Sequence, residues 1–306
     1  KTGWALSPLA PKKHMQMTLL CIPSFFPLKI YSLCLRRNSG NWQEDTLTED
    51  LDLSYRAQLK GWKFKYLEDI ESPAELPVEI NAFKSQQFRW TKGAVETARK
   101  MLPEVLKSEM TLGQKTHSVF HLLNSTVFIC VLVSAILSVP MLWIKHSQPE
   151  FKYYFHFASF FLISLIILGF LYWETLSNQL FGRKKKFKIF LGNFPLFLSV
   201  MMGLSLHNSL AVMEGLFGLK SPFIRTPKFN IIGGKIGEKG NDYVKSSLTI
   251  LNILELILMV YFLFAIYLGI MLDDYALIFY HAMLVLGFAM IIFYSFYHSN
   301  AFRRAV

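Results

Sequence analysis

Two short stretches carry residue types that could do chemistry together. The first, Thr46-Leu-Thr48-Glu49-Asp50-Leu-Asp52, crowds Glu49, Asp50 and Asp52 into the start of a helical pattern. The second, Gln86-Gln-Phe-Arg89-Trp90, sets an amide, a guanidinium and an indole close together. A carboxylate fixed at a loop-to-helix junction can act as a general base, a role worth typically ~10²–10⁴-fold in rate. A planar guanidinium suits phosphate oxygens, and an indole offers a sugar ring a flat apolar face. Together these groups describe a site for a phosphate-bearing sugar donor. Each stretch also has a simpler reading. Acids in a first helical turn complement the helix dipole by ~0.3–1 kcal/mol each, and Arg with Trp can anchor a helix at a membrane surface. The stretches alone do not choose between these readings.

The elements that must position them follow from spacing. A helix begins near Thr46 or Thr48, with Thr46 and Glu49 at capping-box separation, and ends at Gly61. Leu47, Leu51, Tyr55 and Leu59 recur every four residues, so they form the buried stripe and leave the Arg56 and Lys60 side to water. Trp62, Phe64 and Tyr66 alternate with lysines as in a half-buried strand. Pro73 and Pro77 mark a loop, and a second helix runs from about 78 to 100. On it Gln86, Arg89 and Trp90 stand at i, i+3 and i+4 and share a face. Lys92 and Arg99 read as contacts to a membrane interface. Residues 44–117 thus form an α/β fragment shorter than a typical domain.

The rest of the chain is of a different kind. With 53% hydrophobic and 15% aromatic residues in 306, the composition is too apolar for a soluble domain. Four uncharged or nearly uncharged runs, about 119–144, 154–176, 247–272 and 275–298, are long enough to cross a bilayer, which takes ~20 residues. A fifth, 187–217, is interrupted by Pro195, His207, Asn208 and Glu214. If it does not cross, residues 177–246 lie on one side with eleven Lys or Arg against Glu214, Glu238 and Asp242. Lys and Arg accumulate on the cytoplasmic side of short loops. The expected architecture is therefore α/β plus membrane α-helical, with about four transmembrane helices and one interfacial helix. Both motifs and Arg303–Arg304 then face the cytoplasm, in an inner or plasma membrane.

Other features carry less. The net charge of +11 lies mainly in loops flanking apolar segments, which speaks against nucleic acid as a partner. Cys21, Cys34 and Cys130 have neither metal-type spacing nor a disulfide framework. The glycine-rich GGKIGEKG at 233–240 lacks a P-loop pattern and reads as a loop. His121 and Asn124 could hydrogen-bond between helices or line a polymer path, with packing the simpler role. RKKKFK at 183–188 reads as a topology determinant with affinity for anionic headgroups.

Thr48-Glu49-Asp50, Gln86-x-x-Arg89-Trp90 and the apolar runs after them resemble the membrane-bound family 2 glycosyltransferases, the group of cellulose, mannan, glucan, hyaluronan and chitin synthases. SPFIRTPKF at 221–229 is similar to the F-x-V-T-x-K gating loop of the cellulose-synthase branch, with Phe223, Thr226 and Lys228 matching and Arg225 in place of valine. EDLDLSYRAQLKGWKF looks most like bacterial relatives of the plant glucomannan and xyloglucan-backbone synthases. The resemblance covers about residues 41–306. It implies the C-terminal part of a GT-A domain over 44–117, followed by a transmembrane channel region over 118–306 that includes the gating-like loop at 220–230.

The resemblance also implies roles. Asp50, with Glu49 beside it, matches the base that deprotonates the acceptor hydroxyl for inverting attack. Gln86 and Arg89 match residues near the donor diphosphate, and Trp90 the platform for the acceptor sugar. Phe223, Thr226 and Lys228 match a loop over the nucleotide. Expected partners are a UDP- or GDP-hexose, a β-linked polysaccharide or glycolipid acceptor, and membrane lipids. Expected cofactors are Mg²⁺ or Mn²⁺, with ligands upstream of this region, so no metal ligand is assigned here.

The departure is at the front. Residues 1–43 contain no Asp or Glu and so hold neither the nucleotide-binding nor the metal-binding acidic motif. They are unassigned, and the chain is expected to be an N-terminally truncated fragment, inactive alone, whose first forty residues come from a shifted reading frame or spurious start. The alternatives to polysaccharide synthesis are transfer of one sugar to a lipid, and a non-catalytic transporter or scaffold.

Overall fold

A computed structural model describes residues 18–19, 36–65, 77, 79–148, 150, 154, 160–177, 183–222 and 250–305. The chain divides into two compact units, one of Lys1–Val78, Ala82–Val127 and Leu210–Gly240, the other of Glu79–Asn81, Phe128–Ser209 and Asn241–Val306.

In the first unit, β1 (Thr18–Leu19) pairs antiparallel with β2 (Phe64–Lys65), Leu19 opposite Phe64. The other regular elements described there are helices. Helix α1 (Glu49–Leu59) starts after Thr48 and stops where Gly61 adopts φ +84°, a conformation costly for any residue with a Cβ. The N–H groups of Gly61 and Trp62 close the end on the carbonyls of Gln58 and Ala57. The expected capping box does not form: Thr48 makes no side-chain cap bond, and its Oγ1 lies 3.2 Å from Thr97 Oγ1 instead.

Tyr55 belongs to a buried cluster with Ala98, Met101, Val105 and Leu122, against which Leu51 and Leu59 pack, as the four-residue spacing predicts. Arg56 departs from expectation. Its side chain is only 11% exposed, its guanidinium held by Asp52 and by the carbonyls of Ser39 and Asn41. Helix α2 (Ile80–Lys107) begins near the expected point but runs past Lys100 and through Pro103. A proline inside a helix costs ~3 kcal/mol, but Met101 and Val105 on either side are buried in the core and offset it. Helix α3 (Leu112–Leu122) opens on a Thr111–Gln114 capping box, and a 3-10 turn, Asn124–Thr126, follows it.

The second unit holds α4 (Val127–Ser147), α5 (Phe160–Ser177), α6 (Arg183–Gly203), the start of α7 (Ser205–Phe217), α8 (Ile250–Met271) and α9 (Ile278–Ala305). Ala135, Val139, Phe262, Ala265, Leu284 and Phe288 form its core. The outer faces are as apolar as the interior, with Ile166 and Ile250 among many large hydrophobics that are mostly exposed. Helices apolar all round suit lipid. Three described helices are long and apolar enough to cross a membrane: Asn124–Ser147, Ile250–Met271 and Ile278–His298. The helix within the 154–176 run is described from Phe160, and its apolar part, Ile163–Leu176, is shorter. The interrupted run 187–217 becomes two helices bent by 49° at Leu204. Buried polar groups pair across this unit, as where Ser138 Oγ lies 2.8 Å from His281 Nε2.

Candidate functional site

The two chemistry-bearing stretches meet in the first unit at a glycine. A Cβ on Gly93 would stand 2.6 Å from Thr48 Cγ2, 2.8 Å from Thr48 N and 2.9 Å from the Leu47 carbonyl carbon. Two of those atoms are backbone, so the approach exists only because residue 93 has no side chain. Bonds on either side of the contact fix its register. The Leu47 N–H donates to Glu96 Oε2 at 2.8 Å, and Thr48 meets Thr97. The start of α1 is thereby laid against the turn of α2 that follows Trp90.

The consequence is electrostatic. Burial pushes the Asp50 carboxyl up to about 6, well above the usual aspartate range. The Leu51 N–H, 2.7 Å from Oδ1, opposes this, Glu49 adds to it, and the Arg89 charge opposes it. The Arg89 guanidinium is in turn pulled down by burial and held up by Glu49 and Asp50. Groups about forty positions apart in sequence thus share one field. Burial also raises Glu96, against the Leu47 bond and the charges of Lys92 and Arg99.

The third acid of the cluster is of another kind. Asp52 is fully buried and held by two cations, with Arg56 Nη2 2.8 Å from Oδ2 and Lys100 Nζ 3.0 Å from Oδ1. Lys100 also reaches Asp45 at 2.8 Å. Asp52 therefore fastens the segment ahead of α1 to both helices, and its charge is spent on structure. The sequence crowds three acids together; burial and partners sort them.

Gln86, Arg89 and Trp90 are each half-buried on α2. Lys92 is not the interface side chain its sequence position suggested. It is wholly buried, its ammonium 2.7 Å from Glu214 Oε2 on α7 and bonded to Ser221 Oγ, which itself donates to Glu214 at 3.1 Å. Arg99 is exposed but donates to the Gly215 carbonyl at 3.0 Å. Phe223, Thr226 and Lys228, and the glycine-rich 233–240, lie outside the described residues. His121 takes the packing role, its Nδ1 2.8 Å from Tyr55 Oη, with burial and then His117 lowering its basicity.

Gly93, Glu96 and the Lys92–Glu214 pair were missed in the sequence. Gly93 did leave a signal, since a glycine inside a strong helix pattern usually has a packing reason. Among the described residues no group of three or more His, Cys, Asp or Glu is placed to hold a metal ion.

Asp50, its proton affinity raised, thus shares a field with the half-buried Arg89, and Gln86 and Trp90 stand on the same helix as Arg89. Residues 14–204, more than half of the chain, match glycosyl transferase family group 2, and the chain belongs to that family. It is similar to glucomannan 4-beta-mannosyltransferase 1 of Oryza sativa subsp. japonica, 38% identical over 112 residues, which are 33% of this chain and 22% of the relative. Against glucomannan 4-beta-mannosyltransferase 7 of Arabidopsis thaliana it is 33% identical over 150 residues, 45% of this chain and 25% of the relative. A probable glucomannan 4-beta-mannosyltransferase 4 of Oryza sativa subsp. japonica is 42% identical over 100 residues, 33% of this chain and 18% of the relative. The chain spans about a quarter or less of the length of these curated relatives. No solved structure matches it.

Proposed function

We propose that the chain carries the acceptor-side part of an inverting glycosyltransferase that extends a β-linked polysaccharide from a nucleotide-sugar donor at the cytoplasmic face of a membrane. The observation that supports it most is the Asp50 carboxyl, raised to about 6 and set in the field of Arg89. A base titrating near neutrality is ionised at working pH and still basic enough to accept a proton in the transition state. Asp50 takes the proton of the acceptor hydroxyl. The oxygen attacks the anomeric carbon from the face opposite the nucleoside diphosphate, and the C–O bond to phosphate breaks with its electron pair leaving on the diphosphate. Arg89, with Gln86 beside it, offsets the charge arriving there, and Trp90 supports the acceptor ring. Glu49 raises Asp50 by its charge.

The relatives' names favour a mannosyl unit, so GDP-mannose is the first donor to test and UDP-glucose the second. The family's chemistry implies Mg²⁺ or Mn²⁺, which would offset charge on the donor diphosphate; among the described residues the acids do not form a ligand set for it. For topology, α4, α5, α8 and α9 cross the membrane. The charge count keeps 177–246 on the cytoplasmic side, and the 49° bend at Leu204 lets α6 and α7 enter the apolar layer without crossing.

The test is transfer of labelled sugar into alkali-stable polymer by membranes carrying the whole enzyme to which this acceptor-side part belongs. Asp50→Asn should lower it by ~10²–10⁴-fold, while Asp52→Asn should act mainly through stability. Full transfer by Asp50→Asn would defeat the proposal, and a single-sugar glycolipid as sole product would replace polymer synthesis by lipid glycosylation.

A further inference from the structure

In the second unit α5 and α6 pack antiparallel, Trp173 against Phe190 and Gly169 against Phe194. Between them and the start of α9 lies an apolar groove of about 600 Å³, whose lining includes Trp173, Phe187, Phe194, Leu198 and Met283. From Phe187 to Leu198 the groove follows α6 for ~16 Å at 1.5 Å per residue, close to half of a hydrocarbon core of ~30 Å. That is the reach of one acyl chain in one leaflet. An apolar slot of this size is a poor place for water, which needs polar partners.

The groove has a charged end. Arg183, Lys184, Lys185, Lys186 and Lys188 stand where α6 begins, with no acid in its first turn. Lys186 is buried there, its ammonium 3.9 Å from the centre of the Trp173 ring that lines the groove. Lys184 and Lys188 are exposed. An apolar slot of acyl-chain length, capped at one end by a cationic cluster, has the charge and shape complement of a lipid with a negative head.

We propose that this groove holds a membrane phospholipid of net negative charge, one acyl chain along α6 and the phosphate beside Lys184 and Lys188. The inference rests on the membrane reading given under Proposed function. A zwitterionic lipid would fill the slot equally well but gain little from the lysines. The anionic lipid should therefore be preferred on the order of 10-fold.

Trp173 is a reporter inside the groove, and Trp143 on α4, 60% exposed, reports lipid elsewhere on the unit. The experiment uses the chain in nanodiscs of phosphatidylcholine containing a minor fraction of phosphatidylglycerol or phosphatidylcholine brominated on its acyl chains. Emission of each tryptophan is isolated by difference against Trp173→Phe and Trp143→Phe. Brominated phosphatidylglycerol should quench Trp173 on the order of 10-fold more effectively than brominated phosphatidylcholine, while Trp143 is quenched alike by both. Lys184→Gln with Lys188→Gln should equalise the lipids at Trp173. Gly169→Leu should shield Trp173 from both, since a Cβ there already stands in ordinary contact with the Phe190 and Phe194 rings, at 3.6–3.7 Å, and the rest of the side chain would fill the groove. Equal quenching of Trp173 by the two lipids in the unaltered chain, or a preference that survives the lysine substitutions, overturns the proposal. Absence of quenching at both tryptophans overturns the membrane reading and the site with it.

Discussion

At Gly93, α2 admits the backbone ahead of α1 to within 2.8 Å of where a Cβ would be; at Gly287, α9 admits the Ser199 carbonyl of α6 to within 1.9 Å, with Gly203 opposite. Both contacts exist by removal of a side chain, and their surroundings differ. Around Gly93 stand Asp50, Arg89, Lys92 and Glu96, so the closeness is converted into shared electric field and shifted proton affinity. Around Gly287 stand Leu284 and Phe288 on α9 and Phe262 packed against them, and the closeness yields contact area between apolar helices. A small residue brings backbones together, and the neighbours decide whether the product is chemistry or adhesion.

The comparison can be broken at four points, taken from the largest expected effect downward. The first is the proton at Asp50. Sugar transfer should fall about tenfold per pH unit below about 6, as the carboxyl protonates, and a rate flat from pH 7 to pH 4 would remove Asp50 as the base. The same shift has a sign for stability. A carboxyl raised in the folded state favours folding at low pH, and that contribution is lost as pH rises through about 6. Asp50→Asn should therefore raise the melting temperature at pH 8 while lowering transfer by ~10²–10⁴-fold.

Next is Gly93→Ala, which must push Thr48 and the start of α1 off α2. A displacement near 1 Å is worth ~10²-fold in rate, so kcat should drop by that order while donor KM changes less. Gly287→Ala collides with the Ser199 carbonyl and should cost ~1–3 kcal/mol in stability of the second unit, the usual penalty of overpacking. Its effect should appear in thermal denaturation and not in the acid limb of the rate profile. Of the same order is the Lys92 pair. Glu214→Gln leaves a wholly buried ammonium without its carboxylate and should cost ~1–3 kcal/mol. Lys92→Met leaves a carboxylate that is already 36% exposed and should cost less. Equal losses for the two would show that burial asymmetry does not govern this pair.

Some of this was legible in residue order. The i, i+3, i+4 spacing put Gln86, Arg89 and Trp90 on one helix, the four-residue stripe put Leu51, Tyr55 and Leu59 on the core side, and Gly61 marked the end of α1. Arg56 and Lys92 were misread because charge was taken as a sign of exposure. Each is drawn in by acceptors on other parts of the chain: Arg56 is half-buried under the carbonyls of Ser39 and Asn41, and Lys92 is wholly buried against Glu214. The difference between Asp50 and Asp52 was invisible for the same reason, since both are acids in the same turn: Asp52 is held by Arg56 and Lys100, while Asp50 is shifted by burial with Arg89 only opposing it.

By itself the sequence determined what depends on near neighbours: helix periods, the stop at Gly61, the long apolar runs, and the placing of Gln86, Arg89 and Trp90 on one helix. Hydrophobic spacing and turn chemistry are local and can be read in order. Only the tertiary structure decided which acid has a shifted proton affinity, which lysine is buried, and that Gly93 is the point where α1 and α2 meet. Those properties are set by desolvation and by charges brought close from distant positions, and neither is a property of any one stretch of chain.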